Sequence, residues 1–234
     1  MPASLYAIPT PLGGPPFDSL PQPALEIVRD LRDFVAENAK TARAFLAAVG
    51  MPCPLRELRI GVLDEHTPPD SVRTLLAPLR EGRSLGLLSE AGCPAIADPG
   101  AWLVAAAHRA GFRVVPLVGP SSILLALMAS GLEGQRFAFC GYLPRDKGAR
   151  ENRIRELERR SKAQGETQIF IETPYRNAAM VDSLLRVCAP DTLLCVASDL
   201  TLPQQAVAVR SIAAWRSAPP QPGRRPSVFL VLAP

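Results

Sequence analysis

Histidine is scarce in this chain, and its cysteines are unpaired by spacing. There are two histidines, His66 and His108, and five cysteines, Cys53, Cys93, Cys140, Cys188 and Cys195, none at the short separations that hold zinc or form a redox pair. No acidic cluster has metal-ligand spacing either, so no metal is expected. An odd, dispersed set of thiols reads as reduced, which fits a cytoplasmic protein. Also missing are a Walker loop and a glycine triplet after the first apolar run, which removes the common nucleotide fingerprints. Ser121 and Ser122 lack the Gly-x-Ser-x-Gly setting of a nucleophile and suit helix capping instead. His108 falls on a helical stretch as a surface or packing residue. Met1–Ser4 carries no basic residue, so no signal peptide is expected. The longest uncharged run, Val114–Gly131, is broken by Pro116, Gly119, Pro120 and two serines. That punctuation fits a buried strand, loop and helix, with no membrane association. No internal repeat is found.

What is present points to a rigid, well-cored protein. Apolar residues make up 47% of 234, enough for a proper core, and the length suits one large domain or two of about a hundred residues each. Proline, at 25 residues, is about twice its ordinary share, so many loops should be stiff. A net charge of +4 permits an anionic partner without demanding one.

Strand and helix patterns alternate from the start. Ser4–Thr10, Phe34–Ala36, Leu58–Leu63, Leu85–Leu88 and Phe112–Val118 read as strands. Helices are expected over Ala24–Leu31, Ala39–Val49, Pro69–Leu79, Ala101–Arg109 and onward from Ser122 to Met128. The alternation predicts an α/β fold with a mainly parallel sheet. After a short strand, Phe137–Tyr142, the run Leu143–Gly148 reads as a linker. The expected domains are therefore 1-142 and 143-234. The second comprises a basic helix over Ala149–Lys162 and strands near Thr167–Ile171, Leu193–Ala197, Gln205–Val209 and Ser227–Leu232. A helix over Asn177–Val187 completes a smaller α/β unit, and a cofactor cleft is expected between the two domains. The loops Glu90–Gly100 and Gly119–Ser122, at the ends of strands and rich in small residues, let a ligand approach bare backbone amides.

These loops carry a resemblance. Ser89-Glu90-Ala91-Gly92-Cys93-Pro94-Ala95-Ile96-Ala97-Asp98-Pro99-Gly100 resembles the S-(D/E)-A-G-x-P-x-I-x-D-P-G signature of rRNA 2′-O-ribose methyltransferases in the tetrapyrrole-methylase superfamily. Leu5–Gly13, Val115–Ser122, Phe139–Pro144 and Ile171–Arg176 resemble further motifs of that family, so the likeness covers most of the chain. It implies two α/β domains, S-adenosylmethionine as cofactor, an RNA substrate and a homodimer. The cofactor-binding residues it implies are Pro11, Ser89, Ala91, Gly92, Cys93, Pro94, Ile96, Ser121, Ser122, Glu172, Thr173 and Thr201.

The chain departs from the family at three polar elements. Ala36-Glu37-Asn38-Ala39-Lys40 stands for A-E-D-T-R, Asp64-Glu65-His66 for H-E-H, and Ser198-Asp199-Leu200-Thr201-Leu202 for R-E-L-T-K. Thr201-Leu202-Pro203-Gln204-Gln205 resembles instead the T-x-P-x-Q turn of methylases acting on tetrapyrroles. The sequence also stops short of a C-terminal segment that many of the RNA enzymes carry. A ribose hydroxyl is a poor nucleophile and needs a base, for which Glu37, Asp64, Glu65 and His66 are the candidates. RNA phosphates need cations, and Arg150, Arg153 and Arg160 fall within one broad helical face of the basic helix. The same run also suits a solvated helix laced with local ion pairs. Two other functions fit the pattern: methylation of a tetrapyrrole-like or other small metabolite, and a non-catalytic cofactor-binding protein acting through RNA or protein contacts.

Overall fold

A computed structural model describes residues 2–234, with the side chains of all of these but Pro69 and Asp70. The chain forms two compact units, Met1–Ser121 and Ser122–Pro234.

The first unit is a doubly wound α/β domain. Its strands are β1 (Ser4–Ile8), β2 (Asp33–Ala36), β3 (Arg59–Val62), β4 (Leu85–Leu88) and β5 (Arg113–Pro116), in the order β3-β2-β4-β1-β5. All pairings are parallel. Helices α1 (Gln22–Asp30) and α2 (Ala39–Val49) lie on one face, packing Leu25, Val28, Leu46 and Val49 against Ile8, Phe34 and Leu88. The other face carries α3 (Pro69–Val72), α4 (Ala77–Arg80) and α5 (Gly100–Arg109), whose Val72, Leu79 and Leu103 meet Leu5, Val35, Leu85 and Leu87. The central strands β2 and β4 are buried on both faces, which is why they read as unbroken apolar runs.

The single helix expected over Pro69–Leu79 is divided into α3, a 3-10 turn at Thr74–Leu76, and α4. Pro78 accounts for the break: a continuous helix would drive its ring into the carbonyl of Thr74. At the amino-terminal edge of the sheet, Asp33 is 3% exposed and takes two bonds of 2.6 Å from Arg59 and one of 3.1 Å from Arg83.

The second unit holds β6 (Phe137–Tyr142), β7 (Thr167–Glu172), β8 (Leu193–Ser198), β9 (Ala206–Ser211) and β10 (Ser227–Leu232), in the order β6-β7-β10-β8-β9. Only β6 and β7 are parallel. α6 (Ser122–Ser130) packs on β8, β9 and β10, while α7 (Lys147–Gln164), α8 (Asn177–Val187) and α9 (Ile212–Ser217) complete the unit. Its core stacks Phe170 on Phe229 at 5.9 Å and includes Trp215, whose indole donates to the Leu194 carbonyl at 2.9 Å. Because β6 pairs with β7 and α6 packs on the same sheet, the division falls at Ser121/Ser122 and not at the linker-like Leu143–Gly148. That segment joins β6 to α7 inside the second unit.

Candidate active site

In the first unit the connection from β1 runs towards β2, while that from β4 runs the opposite way to β5. Since β1 and β4 are neighbours, the loops leaving their carboxyl ends part, and the sheet opens a crevice there. A cavity of about 400 Å³ occupies it, lined by Pro11 to Gly14 after β1, Ser89 to Ala91 after β4, and Thr41 and Phe45 of α2. That volume lies within the range of small-molecule sites.

Three strand ends are tied into one frame around this crevice. Thr10 and Gly92 exchange backbone hydrogen bonds of 2.9 and 3.0 Å. The Thr10 hydroxyl donates to the Ser89 carbonyl at 3.2 Å, and the Ser89 hydroxyl donates to the Gly92 carbonyl at 2.6 Å. The Cys93 thiol lies 3.4 Å from the Pro120 carbonyl, joining the loop after β4 to the loop after β5. Burial raises the pKa of that thiol, so it is neutral at ordinary pH. Gly92, at φ 78°, supplies a left-handed turn beside Leu12.

Further along, Ala95 and Ala97 are held at φ 67° and 61°, uncommon for residues with a Cβ. One oxygen of Asp98 compensates by accepting the amides of Ala95 and Gly100, each at 2.8 Å. Pro94 is buried in this loop and Ile96 is exposed. Ser121 closes the first unit, and Ser122 opens α6 in the second.

Carboxylates gather beyond the ends of β2, β3 and β4, and one of them, Glu90, lines the cavity. Glu37 follows β2 and is half-buried, and its pKa is raised first by burial and then by the charges of Asp98, Glu90, Asp64 and Glu65. Glu90 accepts the Thr41 hydroxyl at 2.6 Å. Asp64 turns inward on its own loop, accepting the Thr67 hydroxyl at 2.8 Å and the His66 amide at 3.0 Å, and these bonds lower its pKa. The side chains of Glu65 and His66 are 86% and 83% exposed and lie 3.6 Å apart. Of the candidate bases, Glu37 combines partial burial with a raised affinity for a proton, whereas that of Asp64 is lowered.

The remaining cofactor candidates lie on one edge of the second sheet, where the end of β7, the start of β10 and the end of β8 are in register. Glu172 is 5% exposed there, and one of its oxygens accepts the Thr173 amide (2.6 Å), the Thr173 hydroxyl (3.1 Å) and Arg176 (2.5 Å). Its other oxygen, Arg176 Nη1 and Asn177 Oδ1 are buried without a hydrogen-bond partner among the described residues. Orphaned polar atoms of this kind mark places where water or a ligand completes the bonding. Nearby, Asp199 and Thr201 adopt φ 51° and 74°, a strained turn for non-glycine residues. Thr10, Asp98, Arg176 and Asn177 are not among the sequence candidates. Their roles rest on hydrogen bonds between distant strands and loops, which no local pattern displays.

The three arginines of the basic helix do not share a surface. Arg150 is 5% exposed and donates to the Ser183 hydroxyl and the Arg145 carbonyl, each at 3.0 Å, so it packs α7 against α8. Arg153 pairs with Glu156 at 3.0 Å and Arg160 with Glu166 at 2.9 Å, both half-exposed. Among the described residues, no cluster could hold a metal ion, and no helix is long and apolar enough to cross a membrane.

A doubly wound parallel unit with a switch-point crevice, followed by a unit on a mixed sheet, defines an α/β protein built to hold a small molecule. The family model of the tetrapyrrole (corrin/porphyrin) methylases matches residues 4–214, and the chain belongs to that family. It is 34% identical over 197 residues to ribosomal RNA small subunit methyltransferase I of Escherichia coli O157:H7, covering 84% of this chain and 65% of the relative. The protein of the same name from Xylella fastidiosa is 35% identical over 200 residues, covering 86% and 69%. The match thus spans about two thirds of the length of these relatives. Among solved structures, that of the methyltransferase CobJ superposes with a TM-score of 0.66 at 21% identity, covering 99% of this chain and 94% of that one. This likeness shows the fold.

Proposed function

We propose that this chain is an S-adenosylmethionine-dependent methyltransferase that methylates a ribose 2′-hydroxyl of ribosomal RNA. The observation that carries the reading is the switch-point crevice, about 400 Å³ in volume, with Glu90 in its lining and Glu37 within the field of Glu90 and three further carboxylates. S-adenosylmethionine brings an activated methyl group on a cationic sulfonium, so the protein has to bind, align and dry the site. A rim that holds Glu37 against four other carboxylates favours a cation and disfavours the phosphates of ordinary nucleotide cofactors. The tied loops at Pro11, Ser89–Pro94, Ile96 and Ser121 would hold the cofactor. The resemblance also implies Ser122, Glu172, Thr173 and Thr201; taken within the second unit by itself, the orphan atoms of Glu172, Arg176 and Asn177 support a polar ligand there. Glu37 is the proposed base, with Asp98, Glu90, Asp64 and Glu65 shaping its field. The relatives' names support RNA as the acceptor.

A cytoplasmic homodimer is part of this proposal. All five cysteines are free, and α6 exposes Leu124 and Met128 one turn apart, at 55% and 76%. An apolar pair on an uncharged helix suits a self-contact, and light scattering should give twice the 25.1 kDa chain mass.

Two measurements test the activity. A saturating ligand at a hundred times its dissociation constant stabilises by about 2.7 kcal/mol, so S-adenosylmethionine should raise the melting temperature by roughly 5–10 °C. Cys93→Arg, which puts a long cation into a loop packed against Pro120, should abolish the rise. Labelled S-adenosylmethionine with RNA from a strain lacking the protein should then give methylated RNA. Label transferred only to small molecules would replace the RNA reading with the metabolite one. No label and a normal melting shift would leave a cofactor-binding protein without catalysis.

A further inference from the structure

A second depression in the first unit, about 300 Å³ in volume, lies on the opposite side of the sheet from α1 and α2. It is lined by Arg73, Arg80 and Arg109 around Leu76, Ala106 and Ala110. The three arginines come from three helix ends: Arg73 directly after α3, Arg80 as the last residue of α4 and Arg109 as the last of α5. All three are exposed, whereas Leu76 and Ala106 beneath them are buried.

Among the described residues none of these three cations has an ion pair, and what sets them apart is that they meet at one hollow. Arg59 and Arg83 share Asp33, and Glu81, adjacent to Arg80, is engaged by Arg83. Arg29 is turned to the Val49 carbonyl. Around the depression Arg80 donates to the Arg73 carbonyl at 3.1 Å, which draws two of the three elements together. The described residues that line the depression include no carboxylate. A cation at a helix end is ordinary, because it meets the last carbonyls, and the dipole of a four-residue helix is slight. That accounts for each arginine singly. It does not account for three lining one apolar-floored hollow, where an anion would meet all of them together.

We infer that this hollow is a phosphate-binding site, and that the phosphate belongs to the RNA backbone. The inference rests on the reading of the chain as an RNA methyltransferase. Guanidinium groups match phosphate oxygens with paired hydrogen bonds, and the apolar floor suits the sugar between two phosphates. The position also fits. α5 begins beside Asp98 at the crevice and ends at Arg109, ten residues later, which at 1.5 Å per residue is roughly 15 Å. That is the span of about four nucleotides along a duplex strand. A strand whose ribose reached the acidic crevice would be repelled there, and a cationic hollow one helix length away anchors it.

The test uses the full chain and its Arg73→Gln, Arg80→Gln, Arg109→Gln triple variant, with RNA affinity measured across a salt series. Losing three phosphate contacts should lower the salt slope by about 2–3 units, and Arg73→Gln alone by about one. A second arm adds inorganic phosphate or a nucleoside monophosphate at low salt. A melting rise present in the parent and lost in the variant, with unchanged RNA slopes, overturns the RNA assignment and gives the site to a small phosphorylated ligand. Equal slopes together with equal phosphate responses overturn the site. The melting rise with S-adenosylmethionine should be the same in both proteins, so failure of this site is distinguishable from failure of the methyltransferase reading.

Discussion

Gly119 lies so close to Pro9 that a Cβ at position 119 would stand 2.4 Å from the proline Cβ and 2.9 Å from a Leu20 methyl. The loops after β1 and β5 can approach so closely only because that carbon is absent. Gly119→Ala should therefore force them apart, destabilising the protein by about 1–3 kcal/mol and cutting the melting rise given by S-adenosylmethionine. Gly134→Ala provides the contrast, since a Cβ there would meet nothing within 4 Å, and should fall within about 0.5 kcal/mol of the parent. Equal effects at the two positions would show that the close approach to Pro9 does not shape the site.

Asp33 supports the opposite edge of the same sheet. Burial alone would raise its pKa, but the hydrogen bonds and charges of Arg59 and Arg83 outweigh that and lower it. A carboxylate with a lowered folded-state pKa stabilises above its unfolded value, near 3.9, and loses that contribution as the pH falls through the folded one. Asp33→Asn should cost about 1–3 kcal/mol at pH 7 by chemical denaturation. The difference from the parent should narrow steadily below about pH 4. A constant difference from pH 7 to pH 3 would mean that packing, not charge, is what the substitution removes.

Much of the first sheet was legible because a buried parallel strand reads as a continuous apolar run between turn signals. Leu85–Leu88 and Phe34–Ala36 are such runs, and both lie within central strands. The loop signature Ser89–Gly100 was legible too, as small residues at a strand end. The division between units was hidden, since Leu143–Gly148 has linker composition while the pairing of β6 with β7 is a contact between distant segments. Arg150 misled for a similar reason: spacing places it on a helical face but says nothing of Ser183 waiting across that face.

That placement separates the arginines of α7 by experiment. Arg150→Ala removes a buried donor set and should cost about 1–3 kcal/mol of stability. Arg153→Gln and Arg160→Gln break exposed ion pairs and should each change stability by less than about 1 kcal/mol. If the exposed pair meets RNA, the double variant should lower the salt slope of binding by up to about two units. An unchanged slope would leave α7 with its ion pairs as a structural helix.

Glu37 is where charge, burial and the proposed chemistry meet, and its two roles have opposite signatures. Its raised folded-state pKa means that the protonated form is favoured in the fold. The carboxyl group thus supports the fold at low pH, below its unfolded value, and that support is lost as the pH rises through the folded pKa. Glu37→Gln should melt at the same temperature as the parent near pH 4 and at a higher temperature at pH 7 and above. Turnover should change in the other direction. As the base that takes a proton from the hydroxyl, Glu37 must be ionised, so the parent's kcat/KM should fall below its raised pKa, and Glu37→Gln should lose about 10²- to 10⁴-fold in rate. The melting rise with S-adenosylmethionine should be smaller but still present in that variant, because one of the carboxylates that favour the sulfonium is lost while the other four and the tied loops remain. A Glu37→Gln protein that is both stabilised and as fast as the parent would confirm the electrostatics and remove Glu37 from the mechanism, leaving Asp64, Glu65 and His66 to be tested in the same way.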